Sequence, residues 1–186
     1  METATLTPFT TRTINRHALL AAGAGLIPVP VVDLAVISCI QFDLIRQLAI
    51  QYGAGFDPSR SKAWIASLSG TFAAQLGAGL IKAIPGIGTL IGGMSMIMSA
   101  GASTYALGRI VALHFANGGT MESFKPEEHK ELMKSYEEEG IEVIIEMREE
   151  QTRANDKVRE LEKMHARGLI TDAEYDSVKA RVLAAV

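Results

Sequence analysis

The chain has 186 residues, one cysteine and a formal net charge of -3, enough for one compact domain and an appendage. With Cys39 alone there is no intramolecular disulfide, and no basic patch interleaved with aromatics is present to bind nucleic acid. The net charge sums two unlike parts: seven Lys/Arg against four Asp/Glu (+3) from Met1 to Ala116, and eleven against seventeen (-6) from Asn117 to Val186. An apolar, weakly basic front and an acidic back point to two environments.

Proline and glycine punctuation divides the front into four helical segments, none with β-period alternation, so the fold class is all-α. The first spans about Ile14 to Ile27 and ends at Pro28-Val29-Pro30. Arg12 and Arg16 ahead of Ala18–Val32 imitate a secretory signal. Gly23, Gly25, Pro28 and Pro30 break that run, and apolar sequence resumes after Asp33, so the segment is expected to stay in the working chain. The second segment, about Val31 to Tyr52, stops at Gly53 and Gly55, and a polar loop over Phe56–Ser61 follows. The third spans about Lys62 to Ala83, before the turn Ile84-Pro85-Gly86-Ile87-Gly88. The fourth, about Thr89 to Phe115, closes at Asn117-Gly118-Gly119.

These segments pair into two helical hairpins over 17–119, with Pro28, Pro30 and Asp33 at the first turn and Lys82, Pro85 and Gly86 at the second. Ala63 to Ile81 holds 19 residues without a charge and Ala83 to Gly108 a further 26, separated only by Lys82. Apolar runs of about 18 residues mark bilayer-spanning helices, so the second hairpin is expected to span or insert deeply. The first arm, at about 14 residues, is short for a ~30 Å core, and a full crossing and a re-entrant wedge both fit it. Arg12, Arg16, Arg46, Arg60, Lys62 and Arg109 cluster toward the open ends, which by the positive-inside tendency puts both termini in the cytoplasm.

Small residues recur at four-residue spacing: Ala66, Gly70, Ala74 and Ala78 on the third segment, and Ser95, Ser99 and Ser103 with Ala100, Thr104 and Gly108 on the fourth. Such stripes let helix backbones approach closely where lipid supplies no hydrophobic drive. Gly23–Ile27 and Gly77–Ile81 share the string Gly-Ala-Gly-Leu-Ile before each proline turn, a short internal repeat.

The back reads as helices in water. Pro126 with Glu127 and Glu128 starts one, Gly140 is expected to hinge it, and Glu137-Glu138-Glu139 is expected to be a solvated face. Residues 120–160 form a charged linker. In it Ile144, Met147, Gln151, Ala154, Val158 and Leu161 keep a heptad spacing that suits a short coiled coil or a single packing face. In 161–186 the residues Leu161, Met164, Leu169, Ile170, Tyr175, Val178 and Val182 give two short helices one apolar side, expected to serve oligomerisation. Gly168 suits a C-cap, and Thr171 and Glu174 have capping-box spacing.

No catalytic constellation emerges. His17, His114, His129 and His165 are far apart in sequence, no GxSxG occurs, and Gly77–Lys82 lacks the spacing of a phosphate loop. No catalytic residue, metal ligand or cofactor is therefore assigned. Asp33 and Lys82, ionisable groups beside apolar turns, either pair or mark wet turns.

Four separated blocks carry a resemblance. His17–Asp33, Ile40–Leu48, Lys82–Thr89 and Ala100–Gly108 resemble the YcjF-like, GTPase-associated membrane domain of bacteria, over about residues 13–120. Leu161–Leu183, through its core Gly-Leu-Ile-Thr-Asp-Ala-Glu-Tyr, resembles the short C-terminal SHOCT module. The first resemblance implies a membrane domain without assigned activity, found with Era-like GTPases. This chain has no GTPase domain, so that role implies a separate GTPase partner. The second implies self-association. Together these readings lead to a non-enzymatic, self-associating hairpin scaffold in the bacterial cytoplasmic membrane, with lipid bilayer, further copies of itself and a separate GTPase as partners. The rivals are a pore or transport component of assembled Gly/Ser-rich helices, and a soluble oligomer that buries the hairpins between subunits.

Overall fold

The computed structural model describes residues 5–24, 30–68 and 88–184, with side chains over 5–23, 35–68 and 98–184. Every regular element among them is helical. In chain order they are α1 (Pro8–Ala24), α2 (Pro30–Tyr52), α3 (Pro58–Leu68), α4 (Gly88–Ala116), a 3-10 turn (Pro126–His129), α5 (Lys130–Ala166) and α6 (Asp172–Ala184).

Proline places three of these starts. Pro8, Pro30 and Pro58 each open a helix, where a missing N–H is no loss and the fixed φ is already helical. Thr7 Oγ1 accepts the N–H of Thr10 at 3.2 Å, and Asp57 Oδ1 accepts those of Ser59 and Arg60 at 2.8 and 3.1 Å, so Pro8 and Pro58 each follow a side-chain cap. α1 thus begins six residues before the expected Ile14, and α3 begins inside the expected polar loop. The ends are set by glycine. Gly53, Gly118 and Gly168 take φ of 64°, 79° and 70°, and the residue after each bonds back five positions. This is the Schellman pattern, which satisfies the last carbonyls.

Among the described residues no helix is long and apolar enough to cross a membrane. This departs from the expected crossings, and in α2 the cause is plain: Asp33, Asp43 and Arg46 interrupt its 23 residues. The uncharged run of the third segment beyond Leu68 lies outside the described residues.

The chain forms two compact units, Met1–Ile144 and Ile145–Val186. In the first, α1 and α2 run antiparallel and both pack on α4. Thr10 meets Tyr52 and Gln51 at one end, and His17 meets Asp43 further along. Ile14, Leu44, Ile45, Leu48, Leu107 and Ile110 are almost fully buried between them. The N-terminal part of α5 joins this core through Met133 and Ile144. Gly140 does not hinge α5, which runs unbroken from Lys130 to Ala166. A Cβ there would meet Ala102 Cα at 3.0 Å and Tyr105 Cδ1 at 3.1 Å, so glycine serves a close approach to α4.

In the second unit, Thr171 Oγ1 accepts the N–H of Glu174 at 3.3 Å while Glu174 Oε2 accepts the N–H of Thr171 at 2.9 Å, a complete capping box. His165 stacks on Tyr175, with centroids 4.8 Å apart. α6 has no fully buried residue. Leu161, Met164, Ile170, Tyr175, Val178 and Val182 are half-buried and Leu169 is 65% exposed.

Candidate functional site

The surface with the most unusual chemistry is the outer face of the α1–α2 hairpin. One side of α1, with Thr10, Ile14, Ala18 and Ala21, is buried. The opposite side carries Phe9, Arg12, Arg16 and Leu20 at helical spacing, all exposed, with Phe9 at 65% and Leu20 at 52%. No acidic residue occurs in α1. On α2 the matching exposed positions are Ala35, Ser38, Cys39, Arg46 and Ile50, the last 64% exposed. The antiparallel register sets Phe9 and Ile50 at the open end, the arginines next, and small or aliphatic residues toward the turn.

A largely apolar groove of about 580 Å³ runs between the helices there, lined by Leu20, Val36, Cys39 and Ile40 together with His17 and Asp43. A second groove of about 580 Å³ lies across Cys39, formed by Ser38, Phe42, Lys62, Ile65 and Ala66.

His17 braces the hairpin beneath this face. It is 5% exposed. Its Nδ1 lies 2.8 Å from the carbonyl of Thr13 and its Nε2 3.2 Å from Asp43 Oδ2. Gln47 Nε2 donates to the same carboxylate oxygen at 2.7 Å, and Arg46 pairs with the other at 3.5 Å. Gln47 Nε2 also lies 3.4 Å from His17 Nε2, so the imidazole is held from both helices. Burial pushes the Asp43 carboxyl up, but the hydrogen bonds from His17 and Gln47 and the charges of His17 and Arg46 outweigh it and hold the pKa below its ordinary value. Chemically this is a clamp between helices. Cys39, a free and exposed thiol, shares the groove with His17, whose two ring nitrogens already have partners.

Of the residues expected at helix contacts, Ser99, Ala100, Ser103, Thr104 and Gly108 are buried on α4. Gln41 Nε2 donates to Thr104 Oγ1 at 3.2 Å, and a Cβ on Gly108 would meet Ile14 and Leu44 at 3.0 Å. Ala66 is exposed and lines the second groove instead. Gly70, Ala74, Ala78, Lys82, Pro85, Gly86 and Pro28 lie outside the described residues, as do the side chains of Asp33 and Ser95. Pro30 is the first residue of α2.

Two arrangements escaped the sequence. His114 and His129, fifteen positions apart, both pack on Phe124, with centroids 5.0 and 4.9 Å away. Burial, with the nearby His114, holds the His129 pKa below its ordinary value. The acidic run is also not uniformly solvated. Glu139 accepts the Tyr105 hydroxyl at 2.6 Å, and Glu137 is half-buried on the inward side of α5. A stripe of Met133, Tyr136, Gly140 and Ile144 at helical spacing was the available signal, since Glu137 falls within it.

Burial raises the Glu137 carboxyl from 4.5 to about 7, only partly offset by Lys134. The folded state therefore holds an extra proton between those pH values. Stability from this group is full below about 4.5 and falls as the pH rises to about 7. Glu137→Gln is expected to raise Tm at pH 8 and to flatten the fall in Tm between pH 5 and pH 8, measured by thermal melts.

No family model matches the chain, and no solved structure matches it. Among curated proteins it is similar to Magnetosome membrane protein 22 of Magnetospirillum gryphiswaldense, at 35% identity over 133 residues, covering 68% of each chain. Identity at that level across two thirds of both sequences makes this chain a member of the family of Magnetosome membrane protein 22.

Proposed function

We propose that this protein is a non-enzymatic, membrane-associated helical scaffold whose α1–α2 hairpin enters the bilayer from one side without having to cross it. The observation that carries the reading is the outer hairpin face toward the turn, where Leu20, more than half exposed, stands with Val36, Cys39 and Ile40 along an apolar groove. Large apolar side chains gathered on one surface mark a contact with another apolar phase. The name of the relative, a magnetosome membrane protein, supports lipid as that phase. Self-association through 161–186 belongs to the same proposal, supported by the apolar positions that α6 leaves half-buried. The resemblance of the front to a GTPase-associated domain adds a separate GTPase as a partner.

The test is fractionation of the full chain from a bacterial host, followed by an alkaline carbonate wash and flotation. The scaffold reading expects the protein to float with membranes and to resist the wash. Recovery in the soluble fraction as a stable oligomer would favour burial of the hairpins between subunits. Ion flux through liposomes holding the purified protein would favour a pore.

A further inference from the structure

We propose that the outer face of the α1–α2 hairpin selects anionic phospholipid bilayers, with Arg12, Arg16 and Arg46 on lipid phosphates and the groove beside Cys39 in the acyl region. This rests on the membrane reading above and names the surface and the lipid chemistry.

Charge placement is the first support. Among the described residues Arg12 and Arg16 form no ion pair, and α1 has no acid to offer them. Arg46 pairs only loosely with Asp43, at 3.5 Å, and its side chain is 55% exposed. Three guanidinium groups on one exposed face suit phosphate, which they bind through paired N–H donors.

Dimensions are the second. Helix rise is about 1.5 Å per residue, so Arg16 stands roughly 12 Å from the end of α1 at Ala24. One leaflet's hydrocarbon is about 15 Å deep. With the arginines at headgroup level, Leu20 and the groove residues Val36, Cys39 and Ile40 reach into that leaflet. His17 and Asp43, paired to each other, then lie near the boundary, where their polarity is satisfied.

A second copy is the less suitable occupant. A two-fold contact would set this face against itself, and its one acid at this level, Asp43, is already engaged by His17, Gln47 and Arg46. Six arginines would meet with little to neutralise them.

The purified full-length chain is presented to preformed vesicles of phosphatidylcholine alone and of phosphatidylcholine with about a third phosphatidylglycerol. Each arginine near an anionic surface is worth about fivefold in partitioning, from about 1 kcal/mol. Wild type should therefore bind the anionic vesicles well over tenfold more tightly, and raised salt should weaken the binding. R12Q/R16Q should lose about 25-fold on anionic vesicles and little on neutral ones, with an unchanged thermal melt because both side chains are exposed. An environment-sensitive fluorophore on Cys39, the only cysteine, should shift to the blue with anionic vesicles.

Equal binding to both compositions, or an R12Q/R16Q variant that binds like wild type, overturns this proposal and leaves the membrane reading standing. Loss of all vesicle binding in wild type overturns both. Arginine-dependent dimers in the absence of vesicles overturn it in favour of a second copy.

Discussion

Replacing Trp64 with alanine should lower the stability of the first unit by about 3–5 kcal/mol, the largest loss expected from any single truncation. Trp64 is 3% exposed. Its ring lies 4.2 Å from that of Phe124 and 6.3 Å from that of Phe115. It therefore joins α3, the end of α4 and the segment leading to the 3-10 turn. Phe115 in turn contacts Tyr52 at 6.4 Å, which brings in the end of α2. No small side chain can keep these elements in register, and the vacated volume cannot collapse without moving three of them. Denaturant unfolding followed by circular dichroism measures the effect. A loss below about 1 kcal/mol would mean the aromatic cluster is peripheral to stability.

The second large effect is expected at Gly101. A Cβ built there meets the Ala18 carbonyl oxygen, the Ala22 Cβ and the Ile144 Cγ1, all at 3.0 Å. Two of these belong to the rigid body of α1, so neither can swing aside. Gly101→Val should cost about 1–3 kcal/mol by forcing α1 and α4 apart, despite valine's better helix propensity. Gly23 supplies the contrast, since nothing lies within 4 Å of a Cβ there. Gly23→Ala is expected to be neutral or to stabilise by up to about 1 kcal/mol. Thermal melts of the two variants, run together, separate close packing from backbone freedom. Similar losses in both would remove the packing argument.

Much of the fold could be read from punctuation, and the misses came from one ambiguity in it. Sequence spacing makes Pro28-Pro30 the end of an element and Pro58 part of a loop. In the structure Pro8, Pro30 and Pro58 each begin a helix, and at Pro8 and Pro58 the preceding Thr7 or Asp57 was the sign that distinguishes a start from a stop. Glycine divides in the same way. Gly53, Gly118 and Gly168 end helices with positive φ, whereas Gly101, Gly108 and Gly140 sit inside helices where another backbone or side chain comes near. Sequence spacing alone made Gly140 look like a hinge, because the neighbour it accommodates lies on α4.

The hairpin face was less legible for a different reason. Arg12, Arg16 and Arg46 were visible as charges, but their common surface depends on the antiparallel register of α1 and α2. His17, Asp43 and Gln47 fix that register. His17 and Asp43 are 26 residues apart, with no periodicity to connect them. The same limit hid the meeting of His114 and His129 at Phe124.

The central position of α4 also orders events during synthesis. Ile14, Leu44, Ile45 and Leu48 turn toward α4, so α1 and α2 lack their cover until the chain has been extended from Tyr52 to Ala116. At about 5–20 residues per second that interval lasts roughly 3 to 13 seconds. Throughout it the side of the hairpin that faces α4 in the folded chain is without that cover. Factors at the ribosome that recognise exposed apolar helices thus have a window to meet this chain before its own core can close.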